Sequence, residues 1–194
     1  MDYFALLDQP RRPWLDAAAL KARFLALSAD AHPDRVHGAA PSEKDAANQR
    51  FAEVSAAYNC LRDAKDRLAH LIELETGRRP AAVQQSPAGV EDLFFAIAPA
   101  AQRADRLLQQ KSKAASPLAR AALYADGLEL SAKLMDLQGL LNARREKLEV
   151  ELRQVDGEWP AAPALDHVAR LYAEFSFLKR WSEQVQDRVA RLAE

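Results

Sequence analysis

The residues best suited to chemistry in this chain are His32, Pro33 and Asp34, which follow one another directly. Proline fixes its own φ and disfavours the α region for the residue before it, so the chain must turn here. Asp34 offers a carboxylate, and the imidazole ring of His32 donates or accepts hydrogen bonds. A preorganised turn with these groups suits recognition of a partner protein. The chain contains no P-loop and no nucleophile, base and acid set, so we predict neither enzymatic activity nor bound ATP.

Two amphipathic helices are predicted on either side of this tripeptide. Upstream, Asp16 can cap a helix whose apolar residues recur at helical spacing until about Ala31. Downstream, Ser42 can cap a second helix whose apolar residues from Phe51 to Leu61 form a core-facing stripe. Because two helices joined by a short polar loop pack antiparallel, we expect the tripeptide at the tip of a helical hairpin. The alternative is a helix-breaking turn in which the histidine and aspartate are only polar filler.

Residues 1–76 resemble a J-domain, the module by which DnaJ-type co-chaperones stimulate a DnaK-type chaperone ATPase. The resemblance rests on the run YFALL at 3–7, the His-Pro-Asp loop followed by the basic Arg35, and the pattern F…AY…LRD within 51–63. The end of the module, with LIEL at 71–74, differs from that of ordinary J-proteins. This ending and the opening MDYF resemble the HscB family, the J-type co-chaperones of iron–sulfur cluster assembly.

The resemblance implies that the tripeptide contacts a DnaK/HscA-type chaperone and couples its substrate binding to ATP hydrolysis. It also implies a basic docking face, for which this chain offers Lys21, Arg23 and Arg35. The positive field is weak, because residues 1–76 carry ten Lys or Arg against twelve Asp or Glu, a net charge of −2. Lys21 and Arg23 could equally serve only to solvate the outer face of the helix.

The stretch 77–90 separates two helical regions. Gly77 can end the preceding helix in the left-handed conformation, and Pro87 and Gly89 discourage regular structure. We therefore interpret 77–90 as a linker that follows a J-domain at 1–76.

Residues 91–194 carry three further amphipathic patterns. The first reaches about Lys113, the second begins at Pro117 and is ended by Gly157 and Pro160, and the third extends towards the end of the chain. Such stripes, joined by short turns, predict an antiparallel three-helix bundle. The predicted fold class is all-α: a J-domain helical hairpin followed by a C-terminal three-helix bundle.

The resemblance assigns client binding to 91–194, an HscB-like oligomerisation domain, because the HscB family binds the scaffold protein IscU there. In the corresponding run of this chain, only Phe95 and Ile97 keep bulky side chains, and Pro99 should kink the helix or delay its start. Phe177 resembles the second contribution to the same patch and lies off the predicted core stripe. At these positions, client contact and ordinary packing both remain open.

The composition limits the class of protein and its ligands. A hydrophobic content of 49% in 194 residues suffices for packed cores. We find no apolar run of about eighteen residues and no signal-peptide pattern, so we expect a cytoplasmic chain without membrane contact. A net charge of −1, without a basic face interleaved with aromatic residues, disfavours nucleic-acid binding.

Neither a metal nor a cofactor is predicted. The single cysteine, Cys60, cannot form an internal disulfide, and a lone cysteine within an apolar helical pattern is more typical of a small buried residue than of a cluster ligand. His37, His70 and His167 are spaced too widely for a convincing metal site.

Three functions remain open from the sequence. The first is an HscB-like co-chaperone that delivers an IscU-like scaffold protein to its chaperone. The second is a J-domain protein that recruits the chaperone to a different client. The third is a structural interaction module in which the J-domain hairpin is inactive.

Overall fold

The protein is described by a computed structural model that covers residues 1–31, 40–83, 87 and 89–193. All regular structure in these ranges is helical, which confirms the predicted all-α class. The helices are α1 (Tyr3–Leu6), α2 (Ala17–Asp30), α3 (Pro41–Arg62), α4 (Ala64–Thr76), α5 (Glu91–Lys113), α6 (Pro117–Ala122), α7 (Tyr124–Glu158) and α8 (Ala162–Ala193).

The first two helices begin at aspartate caps. The Asp2 carboxylate accepts hydrogen bonds from the amides of Phe4 and Ala5 at 3.0 and 3.3 Å. The Asp16 carboxylate accepts one from the amide of Ala19 at 2.7 Å, which confirms the predicted start of α2. Each cap supplies an acceptor to amides that have no partner within the helix.

Helix α3 begins differently from the prediction. Its first residue is Pro41, and Ala40 precedes it in an extended conformation. The Glu43 carboxylate accepts a hydrogen bond from the amide of Ala40 at 3.3 Å. The predicted Ser42 cap is wrong, because Pro41 suits the first helical position and places Ser42 inside the first turn.

Helix α4 ends at a glycine, as predicted. Gly77 has a φ of +71°, and its amide donates to the carbonyl of Glu73 at 2.9 Å. This left-handed conformation satisfies a carbonyl at the helix end and is strained for residues with a side chain.

The chain divides into two compact units. The first comprises Met1–Ala81 and Glu151–Tyr172, and the second comprises Ala82–Val150 and Ala173–Glu194. The first unit thus includes the end of α7 and the start of α8, in addition to α1–α4. The domain ranges 1–76, 77–90 and 91–194 remain a prediction.

In the first unit, α1, α2 and α4 each pack on α3. The rings of Phe24 and Tyr58 stack with centroids 4.2 Å apart. The remaining core of α1–α4 is aliphatic and aromatic: Phe4, Leu7, Leu20, Val54, Ala57, Leu61, Leu68 and Leu71 are buried. The α2–α3 hairpin predicted from the two apolar stripes is therefore held by its own core.

In the second unit, the long helices are α5, α7 and α8, and α6 precedes α7. A helix begins at Pro117 as predicted, but it is interrupted at Leu123 before α7 starts. The end of α7 at Glu158 falls between the two predicted breakers, Gly157 and Pro160. The core is built from one face of each long helix: Ile97, Ala104, Leu107, Leu130, Leu134, Leu141, Leu148, Phe175, Leu178 and Val185 are buried.

Candidate functional site

The His-Pro-Asp tripeptide and Arg35 lie outside the residues that the structure describes. The described residues fix the helices on both sides of the tripeptide. Helix α2 ends at Asp30, α3 begins at Pro41, and the two helices pack on each other. The roles of His32, Pro33, Asp34 and Arg35 therefore remain predictions.

Lys21 and Arg23 are both exposed on α2. Residues two positions apart on a helix point about 200° from each other, so these two cations do not form one patch. A guanidinium nitrogen of Arg23 lies 3.7 Å from a carboxylate oxygen of Asp8, in the connection before α2. Lys21 has no ion pair among the described residues.

The side of α2 that carries Lys21 also carries an exposed leucine that sequence reasoning missed. Leu25 lies one turn further along the helix, and its side chain is 55% exposed. The four-residue spacing between Lys21 and Leu25 was the signal that could have revealed this pair. The pair places one cation and one apolar side chain on the same exposed side of the helix.

All three predicted client contacts lie in the second unit, but only one of them is exposed. Phe95 is 71% exposed, whereas Ile97 is 4% and Phe177 is 5% exposed. Phe177, for which the sequence left client contact and ordinary packing both open, is buried. The Trp181 ring packs edge-on to the Phe177 ring at 4.9 Å, and the Arg180 guanidinium lies 4.4 Å from the same ring. These two neighbours cover a position that the apolar stripe left open.

Phe95 belongs to an exposed face of α5 that we call the Phe95 face. Its members are Phe95, Pro99, Gln102 and Arg106, which are spaced by one helical turn and are all exposed. Helix α5 begins at Glu91, so Pro99 lies inside the helix and does not delay its start. Because proline has no amide hydrogen, the carbonyl of Phe95 lacks its usual helical donor. The face therefore combines a large apolar ring with a backbone acceptor.

The neighbouring charges on α5 are largely engaged within the second unit. The Arg188 guanidinium donates to both carboxylate oxygens of Asp105, at 3.0 and 2.8 Å. Arg103 pairs with Glu129 at 3.3 Å. Beside these paired charges, the Phe95 face presents the aromatic ring together with the polar Gln102 and the cationic Arg106.

Cys60 and His70 line one cavity of about 500 Å³ in the first unit. Burial raises the pKa of the Cys60 thiol to about 11, so the group stays protonated at neutral pH. The thiol donates to the carbonyl of Asp66 at 3.5 Å. Within the described ranges, no group of three or more His, Cys, Asp or Glu side chains is placed to hold a metal ion.

His70 fastens α1 to α4. Its Nε2 accepts a hydrogen bond from the amide of Tyr3 at 3.1 Å, and its ring lies 4.7 Å from that of Tyr3 and 5.8 Å from that of Phe4. Burial lowers the pKa of His70, because the neutral imidazole is favoured away from water. His70 is therefore a packing residue that holds the start of the segment 1–76 against α4.

None of the helices in the described part of the chain is long and apolar enough to cross a membrane.

The comparisons with known proteins agree on one family, although no family model matches the chain. A co-chaperone HscB homolog from Bordetella petrii is 40% identical over 72 residues, which cover 37% of this chain and 42% of that relative. A co-chaperone HscB homolog from Cupriavidus taiwanensis is 33% identical over 119 residues, which cover 56% of this chain and 68% of that relative.

Solved structures share the fold. The crystal structure of human co-chaperone protein HscB matches with a TM-score of 0.65 at 17% identity, over 96% of this chain and 81% of the human chain. Chaperone HscB from Vibrio cholerae matches with a TM-score of 0.50 at 22% identity, over 97% and 99% of the two chains. With the helical hairpin around the tripeptide and the sequence match to the Cupriavidus relative, these findings show that the chain belongs to the HscB family of co-chaperones.

Proposed function

We propose that this chain stimulates ATP hydrolysis by a DnaK/HscA-type chaperone and delivers an IscU-like iron–sulfur scaffold protein to it. The observation that carries the proposal is the His-Pro-Asp tripeptide between the packed helices α2 and α3, in a chain of the HscB family. In this proposal residues 1–76 act on the chaperone, 77–90 connect, and 91–194 bind the client.

The chaperone-binding residues are expected in two places. The tripeptide and Arg35 supply the central contact, where proline limits the conformational freedom lost on binding. Lys21 and Arg23 add charge on α2, of which Lys21 with Leu25 forms a mixed cationic and apolar surface. Hydrolysis itself is carried out by the chaperone.

A single-turnover ATPase assay tests the proposed stimulation of the chaperone. His32→Gln should reduce stimulation by about tenfold or more, as expected when a central interface contact is lost. His167→Gln changes an exposed histidine on α8 in the same way and should leave stimulation intact. Equal stimulation by the unsubstituted chain and by His32→Gln would contradict the proposal, and absence of stimulation by both would favour the inactive interaction module.

The proposed binding surface for the client protein is the Phe95 face. An exposed aromatic ring beside a backbone acceptor is suited to a protein contact, and aromatic residues are enriched among the residues that dominate such interfaces. Phe95→Ala should weaken binding to an IscU-like scaffold by about tenfold or more. Leu128→Ala, which truncates another exposed apolar side chain, on α7, is the matched control.

A second candidate client is favoured by the burial of Ile97 and Phe177. Only Phe95 of the three predicted client contacts is exposed, so the surface differs from the run on which the IscU assignment rests. Under this alternative the chaperone is recruited to another protein. Binding of the chain to an IscU-like scaffold that is lost in Phe95→Ala would favour the first candidate. Stimulation of the ATPase without binding of the scaffold would favour the second.

A further inference from the structure

The end of α7 and the turn that follows it, residues 156–161, hold the segment that connects α1 to α2; we call these residues the α7–α8 turn. The Asp156 carboxylate accepts a hydrogen bond from the amide of Trp14 at 3.2 Å. The Arg12 guanidinium donates to the carbonyl of Asp156 at 2.9 Å and lies 3.3 Å from its carboxylate. The indole nitrogen of Trp159 donates to the carbonyl of Arg11 at 2.9 Å. All of these residues belong to the first compact unit.

The same connection is bound by α4. The buried Arg67 side chain donates from Nε to the carbonyl of Pro13 at 2.8 Å and from Nη1 to the carbonyl of Leu61 at 2.7 Å. The Arg153 guanidinium lies 5.1 Å from the centre of the Trp14 ring. Successive backbone groups of the connection are thus bound alternately by the α7–α8 turn and by α4.

These contacts on the segment between α1 and α2, which together we call the clamp, act where α2 begins. The connection has no regular structure of its own, so its conformation is set by the groups that bind its amides and carbonyls. Asp16, the cap of α2, follows Trp14 by only two residues. Holding Trp14 therefore fixes the start of the helix that carries Lys21 and Leu25.

We propose that Asp156 and Trp159 are positioning residues for chaperone stimulation, which makes the α7–α8 turn part of the chaperone-stimulating unit. The inference rests on the proposed function and goes beyond it, because it assigns a role to residues outside 1–76. Loss of the clamp lets the start of α2 adopt several orientations, so a smaller fraction of molecules is ready to bind. The concentration needed for half-maximal stimulation then rises, while stimulation at saturation is unchanged.

The test is a titration of the chaperone ATPase with full-length variants. Asp156→Ala removes the acceptor for Trp14 and the charge beside Arg12, and should raise the half-maximal concentration roughly three- to tenfold. Asp156→Asn keeps an acceptor oxygen and should give a smaller rise. Trp159→Phe keeps an aromatic ring without the indole donor and should also raise this concentration. Glu158→Ala, in the same turn with an exposed side chain, should match the unsubstituted chain.

The assay is run at a temperature at which circular dichroism shows every variant folded. A purely structural role would lower thermal stability without moving the half-maximal concentration. Stimulation by the unsubstituted chain with an unchanged half-maximal concentration in Asp156→Ala and Asp156→Asn would overturn this inference alone. Absence of stimulation by the unsubstituted chain would overturn the proposed function, and the inference with it.

Discussion

At the scale of single residues, Lys21 and Arg23 show that two exposed cations on one helix need not serve one partner. Lys21 lies beside the exposed Leu25, whereas Arg23 points away from it and lies 3.7 Å from Asp8. An exposed ion pair at this distance contributes about 0–1 kcal/mol, so Arg23 remains available to water and to partners. The geometry nevertheless makes Lys21 the stronger candidate for the chaperone contact.

We therefore expect unequal effects from two single charge reversals. Lys21→Glu should weaken chaperone stimulation by about two- to fivefold at low salt, and less at high salt, because exposed charges are screened. Arg23→Glu should have a smaller effect. Lys133→Glu, an exposed lysine on α7, controls for the change in net charge. Equal losses in the first two variants, or a loss that salt does not reduce, would contradict this assignment.

His70 couples protonation to the docking of α1. Its Nε2 must be unprotonated to accept the Tyr3 amide hydrogen, and burial lowers the pKa of His70 below its ordinary value of 6.5. The unfolded chain thus binds this proton more readily than the folded chain. Its contribution to the free energy of unfolding is present above pH 6.5 and is lost as the pH falls through the lower folded pKa.

His70→Gln should flatten this part of the pH profile, because the amide oxygen can accept the Tyr3 hydrogen bond without titrating. Asp2 and Glu73 face His70 and favour its charged form, while Arg11 and the N-terminal amine oppose it. Burial alone would raise the pKa of Asp2, but the hydrogen bond from Arg11 lowers it overall. Asp2 therefore titrates below the pH range of the measurement. The measurement is urea unfolding between about pH 7 and pH 5, where ordinary histidines titrate, with His167→Gln as control. If the free energy of unfolding changes with pH equally steeply in the unsubstituted chain and in His70→Gln, the role of His70 is excluded.

At the scale of helices, Gly77 and Gly139 lie in different backbone conformations, left-handed and helical. Gly77 ends α4 with a φ of +71°, whereas Gly139 lies within α7. An added Cβ would meet nothing within 4 Å at either position, so the backbone alone decides the outcome. The two glycines therefore form a matched pair of probes.

Gly77→Ala should lower the free energy of unfolding by about 1–2 kcal/mol, because an alanine is strained in the left-handed region. Gly139→Ala should raise it by about 0.5–1 kcal/mol, since alanine loses less backbone entropy in a helix. Urea unfolding of both variants checks the prediction. A loss of stability in both would mean that side-chain contacts, and not the backbone, govern these sites.

At the scale of the whole molecule, the sequence predicted what depends on neighbours along the chain. The start of α2 at the Asp16 cap and the end of α4 at Gly77 follow from chemistry within four residues, and both are confirmed. The burial of Phe177 was not predictable from its own stripe, because Trp181 and Arg180 decide it. Likewise the Arg67 guanidinium binds a carbonyl 54 positions away, and no local pattern marks that partner.

The ion pair between Arg144 and the buried Glu174 is another such distant contact. It joins α7 to α8 within the second unit, and the Glu174 side chain is 0% exposed. A carboxylate removed from water needs its charged partner, because its desolvation is otherwise uncompensated. Both helices also contribute residues to the first unit, since α7 and α8 run through both. Damage to this pair therefore tests how the whole chain unfolds.

Arg144→Ala should lower the free energy of unfolding by about 1–3 kcal/mol, because it removes a charged hydrogen-bond donor from the buried Glu174 carboxylate. Replacing both residues with apolar ones, as in R144M/E174L, should recover most of that loss. Arg145→Ala, on the exposed side of α7, is the matched control. Hydrogen exchange of the amides of Leu68 and Leu134 follows the two units separately. Because α7 and α8 are continuous, we expect protection to fall in both units in Arg144→Ala; a fall confined to Leu134 would show that the units unfold independently.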